Sequence, residues 1–75
     1  MNKHIQMAVK KLGSQAELAR RLNVSKGTVN SWVKGLNNVP PKKAEAIEKI
    51  TGISAVLLVF PNRQINDEFN DDKNL

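Results

Sequence analysis

The sequence predicts an all-α fold: five short helices in residues 1–61, followed by a flexible acidic and polar tail in residues 62–75. Three observations predict it. Apolar residues recur at helical spacing through four segments. Helix-starting residues (Ser14, Ser25, Pro41, Ser54) alternate with helix-stopping ones (Gly13, Gly35, Gly52, Pro61). A chain of 75 residues admits one domain at most, with only a modest core.

The first helix is expected over about Lys3–Leu12, with Ile5, Ala8, Val9 and Leu12 on one face and Gly13 closing it. Lys10 and Lys11 stand in its last turn, where the helix dipole favours cations. The second starts at Ser14, three residues before Glu17, in the spacing of a reciprocal capping box. Ala16, Leu18, Ala19 and Leu22 supply its apolar positions. Asn23 then takes the left-handed turn residue, where a glycine would be easier.

Ser25 caps the third helix, whose Val29, Trp32 and Val33 point one way while Lys26, Thr28, Asn30, Ser31 and Lys34 cover the rest. Residues 35–40 form a loop. Pro41 opens a fourth helix that runs to about Thr51, with Ala44, Ile47 and Ile50 inward. PPKKAEAIEKI has helical period and strong helix formers, which argues against strands there. Ser54 caps a fifth, Ala55–Phe60, stopped by Pro61. Val56, Leu57, Leu58, Val59 and Phe60 are more apolar surface than one face can bury.

Charge is unevenly spread. Residues 1–61 hold ten Lys/Arg against three acids, whereas residues 62–75 hold two bases against four acids. A basic body suits a polyanion. Without cysteine there are no disulfides or thiolate metal sites, and a cytoplasmic protein is expected. The apolar stretch of residues 53–60 falls far short of the roughly 20 residues that span a bilayer. MNKHIQM is too polar for a signal peptide. His4 stands alone, Ser25 and Ser31 have no histidine at motif spacing, and Asp71-Asp72 reads as solvated tail. No catalysis, metal or cofactor is therefore expected.

The functional signal is concentrated in Gln15–Lys34, QAELARRLNVSKGTVNSWVK: two short helices, a tight turn, and a second helix rich in small polar and basic side chains. Such a unit presents its second helix to the DNA major groove. Lys26, Gly27 and Thr28 project from the first turn of that helix, with Asn30 and Ser31 one turn on. Asn can bond bidentately to adenine, Lys can donate to guanine, and Thr can touch a thymine methyl. Gly27 costs the helix about 1 kcal/mol relative to Ala, which is tolerable if a side chain there would collide with DNA. A separate phosphate set is expected: Ser14 and Gln15 before the groove, Lys34, Asn37 and Asn38 after it, and Lys42 and Lys43 opening the fourth helix. Half-sites about 34 Å apart would require two copies. Val56, Leu57, Leu58 and Phe60 are the expected dimer interface of a weak homodimer that DNA tightens.

With Gln15, Ala19, Val24, Val29 and Trp32 at their spacing, the stretch resembles the helix-turn-helix of lambdoid phage repressors and Cro proteins. GSQAELARRLNVSKGTVNSWVKG, then VPPKKAEAIEKITGIS, then a short apolar segment ending at Pro61, is similar to the Cro-like and YdaS-type antitoxin branch across residues 4–61. Asn23 departs from that pattern at the turn, and LVFPNR stands where the branch carries a Leu-Arg-Pro-Asp run. The resemblance implies operator binding, as a dimer, and regulation of a neighbouring phage or toxin gene. Two alternatives stay open: the DNA-binding antitoxin of a toxin–antitoxin pair, and an anti-repressor module that binds protein instead of DNA. The basic and amide side chains of the third helix, Lys26, Asn30 and Lys34, weigh against the second.

Overall fold

A computed structural model describes residues 1–62. In it the chain forms α1 (Lys3–Leu12), α2 (Gln15–Leu22), α3 (Lys26–Lys34), α4 (Pro41–Thr51) and α5 (Ala55–Val59), with no strand among the described residues. The all-α expectation holds. The fifth helix ends one residue early, because Phe60 is already its cap. The expected tail lies outside the described residues from residue 63 onward.

The periodic apolar positions become one core: Ile5 and Ala8 from α1, Leu18, Ala19 and Leu22 from α2, Val29, Trp32 and Val33 from α3, Ala44 and Ile47 from α4, and Leu58 from α5. Val39 and Ile53 join them from the connections. α1 touches all four other helices, whereas α3 rests on α1 and α2 alone. α3 is thus braced from one side and open on the other.

Four expectations change. Ala16 is exposed, and Ile50 lies at the surface of α4. Ser54 makes no side-chain cap bond. The Ser14 hydroxyl does accept from the Glu17 amide at 3.1 Å, but the Glu17 carboxylate does not reach back. It turns to Arg20 and Arg21, one turn on, so the capping box is only half formed. Two guanidiniums at i+3 and i+4 outcompete one backbone amide.

The helix ends are closed by side chains from elsewhere in the fold. A helix leaves its last four carbonyls without intrahelical donors. Lys43 Nζ in α4 donates to the Leu22 carbonyl at the end of α2, at 2.9 Å. Lys11 Nζ in α1 donates to the Thr51 carbonyl at the end of α4, at 3.1 Å. Asn2 does the same for α5: its Nδ2 donates to the Leu58 carbonyl at 3.0 Å. The Asn2 Oδ1 meanwhile accepts from the His4 and Ile5 amides, both at 3.1 Å, and its own amide donates to the Val33 carbonyl at 3.0 Å. Asn2 is only 4% exposed. One residue therefore starts α1, anchors the end of α3 and tethers α5.

Candidate nucleic-acid interface

The turn between α2 and α3 depends on one residue in an uncommon conformation. Asn23 has φ 57° and ψ 43°, the left-handed region where asparagine is among the few tolerated side chains. Its amide donates to the Arg20 carbonyl at 3.2 Å, and the Val24 amide donates to the Ala19 carbonyl at 3.0 Å. Ala19 is 4% exposed, within the small core shared by the two helices. Ser25 then caps α3, its Oγ accepting from the Thr28 amide at 3.0 Å. Gly35, at φ 78°, ends α3 with its amide turned back to Ser31 and Trp32.

This frame sorts the expected contact residues into two groups. Lys26, Asn30, Ser31 and Lys34 on α3 make no side-chain hydrogen bond or ion pair with any described residue, and neither do Gln15, Asn37, Asn38 and Lys42. Lys26, Gly27, Lys34, Asn37, Asn38 and Lys42 are exposed; Gln15, Asn30 and Ser31 are half-buried. For a surface lysine this is ordinary. Asn30 and Ser31 are different: they are partly withdrawn from water and their side chains bond no described residue.

Ser14, Thr28 and Lys43 form the second group. The Ser14 Oγ accepts from the Glu17 amide. The Thr28 and Ser25 hydroxyls bond one another at 2.8 Å. Lys43 is half-buried and caps α2. Lys42 and Lys43, expected to act alike, therefore differ in kind. Lys42→Ala should leave stability unchanged and shrink the salt slope of DNA binding by about one unit. Lys43→Ala should destabilise the fold by about 1–2 kcal/mol, since it removes a charged donor from a helix-end carbonyl. Thermal melts and salt titrations of both variants check this; equal behaviour would contradict it.

Helix phase brings part of the first group together. Gly27, Asn30, Ser31 and Lys34 stand at i, i+3, i+4 and i+7, so they form a single stripe along the open side of α3. Ser14, Gln15 and Ala16 at the start of α2 meet Lys26, Gly27 and Asn30 around an open depression of about 590 Å³. The structure therefore unites Gln15 with the head of the stripe. Asn37 and Asn38 line a separate depression with Met1, Asn2 and Phe60.

Arg20, then Arg21, hydrogen-bonds the Glu17 carboxylate and holds it below the ordinary glutamate range; Glu17 in turn raises Arg20. Whatever stability this exposed fork adds is present near neutral pH and is lost as pH falls through the lowered Glu17 value. Among the described residues no three His, Cys, Asp or Glu side chains converge as a metal site would require. No helix among them is long and apolar enough to cross a membrane.

The expected dimer residues separate as well. Leu58 is wholly buried in the core, so it is not an interface residue. In a five-residue helix Ala55 and Leu58, at i and i+3, face inward, while Val56 is 48% exposed and Phe60 56% exposed. Leu57 is half-buried.

The family model described as "Bacterial toxin YdaS" matches residues 5–56, which spans all of α1 to α4 but the first two residues of α1. The chain belongs to this YdaS family of helix-turn-helix proteins. Over 40 residues it is 42% identical to the Escherichia coli K12 protein described as "Putative transcriptional regulator YdaS". That similarity covers 53% of this chain and 41% of the relative, so the chain spans about two fifths of the length of the protein it matches. No solved structure matches it.

Sequence reasoning missed two residues that hold this frame, Asn2 and Val39, and the capping bond of a third, Lys43. Asn2 had a legible signal, a capping side chain just before an apolar-periodic segment. Val39, 1% exposed, reads as loop because its neighbours are Asn38 and Pro40. The role of Lys43 rests on a contact 21 residues away, for which no local pattern exists.

Proposed function

We propose that this YdaS-family domain is a DNA-binding transcriptional regulator of the Cro-like phage or prophage type. It lays α3 in the major groove of a short operator. The observation that carries the reading is the stripe on α3: half-buried Asn30 and Ser31, whose side chains bond no described residue, bracketed by Lys26 and Lys34. Base edges in the major groove offer the donors and acceptors these side chains lack within the fold. Gln15, Lys34, Asn37, Asn38 and Lys42 supply phosphate contacts, which position without reading. The Ser14 Oγ accepts from the Glu17 amide, which leaves its hydroxyl hydrogen to donate to a phosphate oxygen there.

A single 9-residue reading helix covers one half-site, so an operator of two half-sites takes two copies. Their contact runs through Val56, Phe60 and the flank of Leu57, with Leu58 behind it in the core.

Asn30→Ala should weaken binding to a duplex selected for the wild-type protein by about 1–3 kcal/mol, or roughly 5- to 150-fold. Random duplex of the same length should lose much less, because phosphate contacts dominate there. Titration of both duplexes at one stated salt concentration checks it. Equal losses would mean that α3 touches DNA without reading base edges.

The family description favours a second reading, in which the protein is toxic when abundant. The same surface would serve it, by occupying host promoters. Overproduced wild-type protein should then slow growth and Asn30→Ala should not. Toxicity that survives Asn30→Ala and Lys34→Ala together would point to another target.

A further inference from the structure

Gly27 is a glycine that the fold itself does not need. It lies in the first turn of α3 with an ordinary helical backbone, unlike Gly13, Gly35 and Gly52, whose positive φ values favour glycine. A Cβ built there would meet only the Ser25 Oγ, at 3.8 Å, an ordinary van der Waals contact. Glycine is nonetheless a poor helix former, so the position gives up helix stability with no return inside the domain.

The surroundings say what it leaves room for. Gly27 is exposed, heads the stripe of Asn30, Ser31 and Lys34, and lines the depression shared with Gln15. Asn and Ser have short side chains. Their reach is 2–3 bonds from the backbone, so the helix must come close for them to touch a base edge. A reading helix meets base edges chiefly through its N-terminal residues, so a Cβ at Gly27, in the first turn of α3, would stand where the helix backbone comes nearest.

We propose that Gly27 is a specificity-determining position: its missing side chain admits a base edge of the major groove and sets the depth at which Asn30 and Ser31 read. This rests on the DNA-binding reading above and deepens it. The fold tolerates bulk at Gly27; the complex does not.

The test pairs Gly27→Ala with Gly27→Leu, both good helix formers. The probes are a duplex of about 20 base pairs selected by the wild-type protein from a randomised pool, and unselected duplex of the same length. Both variants should melt no lower than wild type. Gly27→Ala should lose roughly tenfold or more on the selected duplex, at the scale of one spoiled base contact. Gly27→Leu should lose its preference over unselected duplex altogether. Binding of the selected duplex at wild-type strength by Gly27→Ala would overturn the inference. So would equal losses on both duplexes, which would assign the position to the DNA backbone. So would a lowered melting temperature, which would return the glycine to the fold. If the wild-type protein selects no sequence from the pool, the DNA-reading proposal fails first and takes this one with it; selection by wild type with an indifferent Gly27→Ala sinks this one alone.

Discussion

Trp32→Ala should cost about 3–5 kcal/mol, the range for emptying a large aromatic site in a core. Trp32 is 3% exposed and lies in phase with Val29, on the face of α3 that meets α1 and α2. Domains of this size hold only about 5–15 kcal/mol in total, so the variant should be largely unfolded or close to it. Because Trp32 is the one tryptophan of the chain, its loss also removes the fluorescence probe. Urea titration followed by far-ultraviolet circular dichroism reads the effect. A variant that keeps wild-type stability and loses only DNA affinity would place the indole on the binding surface and reverse the phase of α3.

Asn2→Ala carries the next largest expected effect, about 2–4 kcal/mol. It removes the cap of α1, worth about 1 kcal/mol. It also strands the Leu58 carbonyl, at a cost of about 1–3 kcal/mol if water cannot reach it. Asn2→Asp separates the two. The carboxylate keeps the acceptor for the His4 and Ile5 amides, but it sets an oxygen against the Leu58 carbonyl. Asn2→Asp should therefore regain little of the loss, and amide exchange in α5 should quicken in both variants. Protection of α5 at wild-type level in Asn2→Asp would contradict the tether. The functional consequence falls on the proposed dimer surface, since α5 carries Val56 and leads into Phe60.

How much of this was legible in the sequence depends on how local the cause is. The four long helices follow from apolar period and from caps that act within three residues, such as Ser25 on Thr28. The left-handed Asn23 was legible for the same reason. The phase of α5 was not: all five of its residues are apolar, so periodicity cannot say that Leu58 turns inward and Val56 outward. Only the packing of α4 and α1 against it decides.

The candidate site divides along the same line. Lys26, Asn30, Ser31 and Lys34 could be named because they share one helix and one period. Ser14 and Thr28 belong to the same motif, yet local hydroxyl bonds engage them. Lys42 and Lys43 are adjacent and chemically identical. Only the path of α4 past the end of α2 tells the surface lysine from the capping one.

The most direct test is a selection from a randomised duplex pool at fixed salt, run in parallel with the wild-type protein and Asn30→Ala. The wild-type protein should enrich a twofold-symmetric site with half-sites about one helical turn, roughly 34 Å, apart. Asn30→Ala should enrich the same site with preference relaxed at one base pair in each half. An identical site from both proteins, or no enrichment by the wild type, would contradict the claim that α3 reads the sequence.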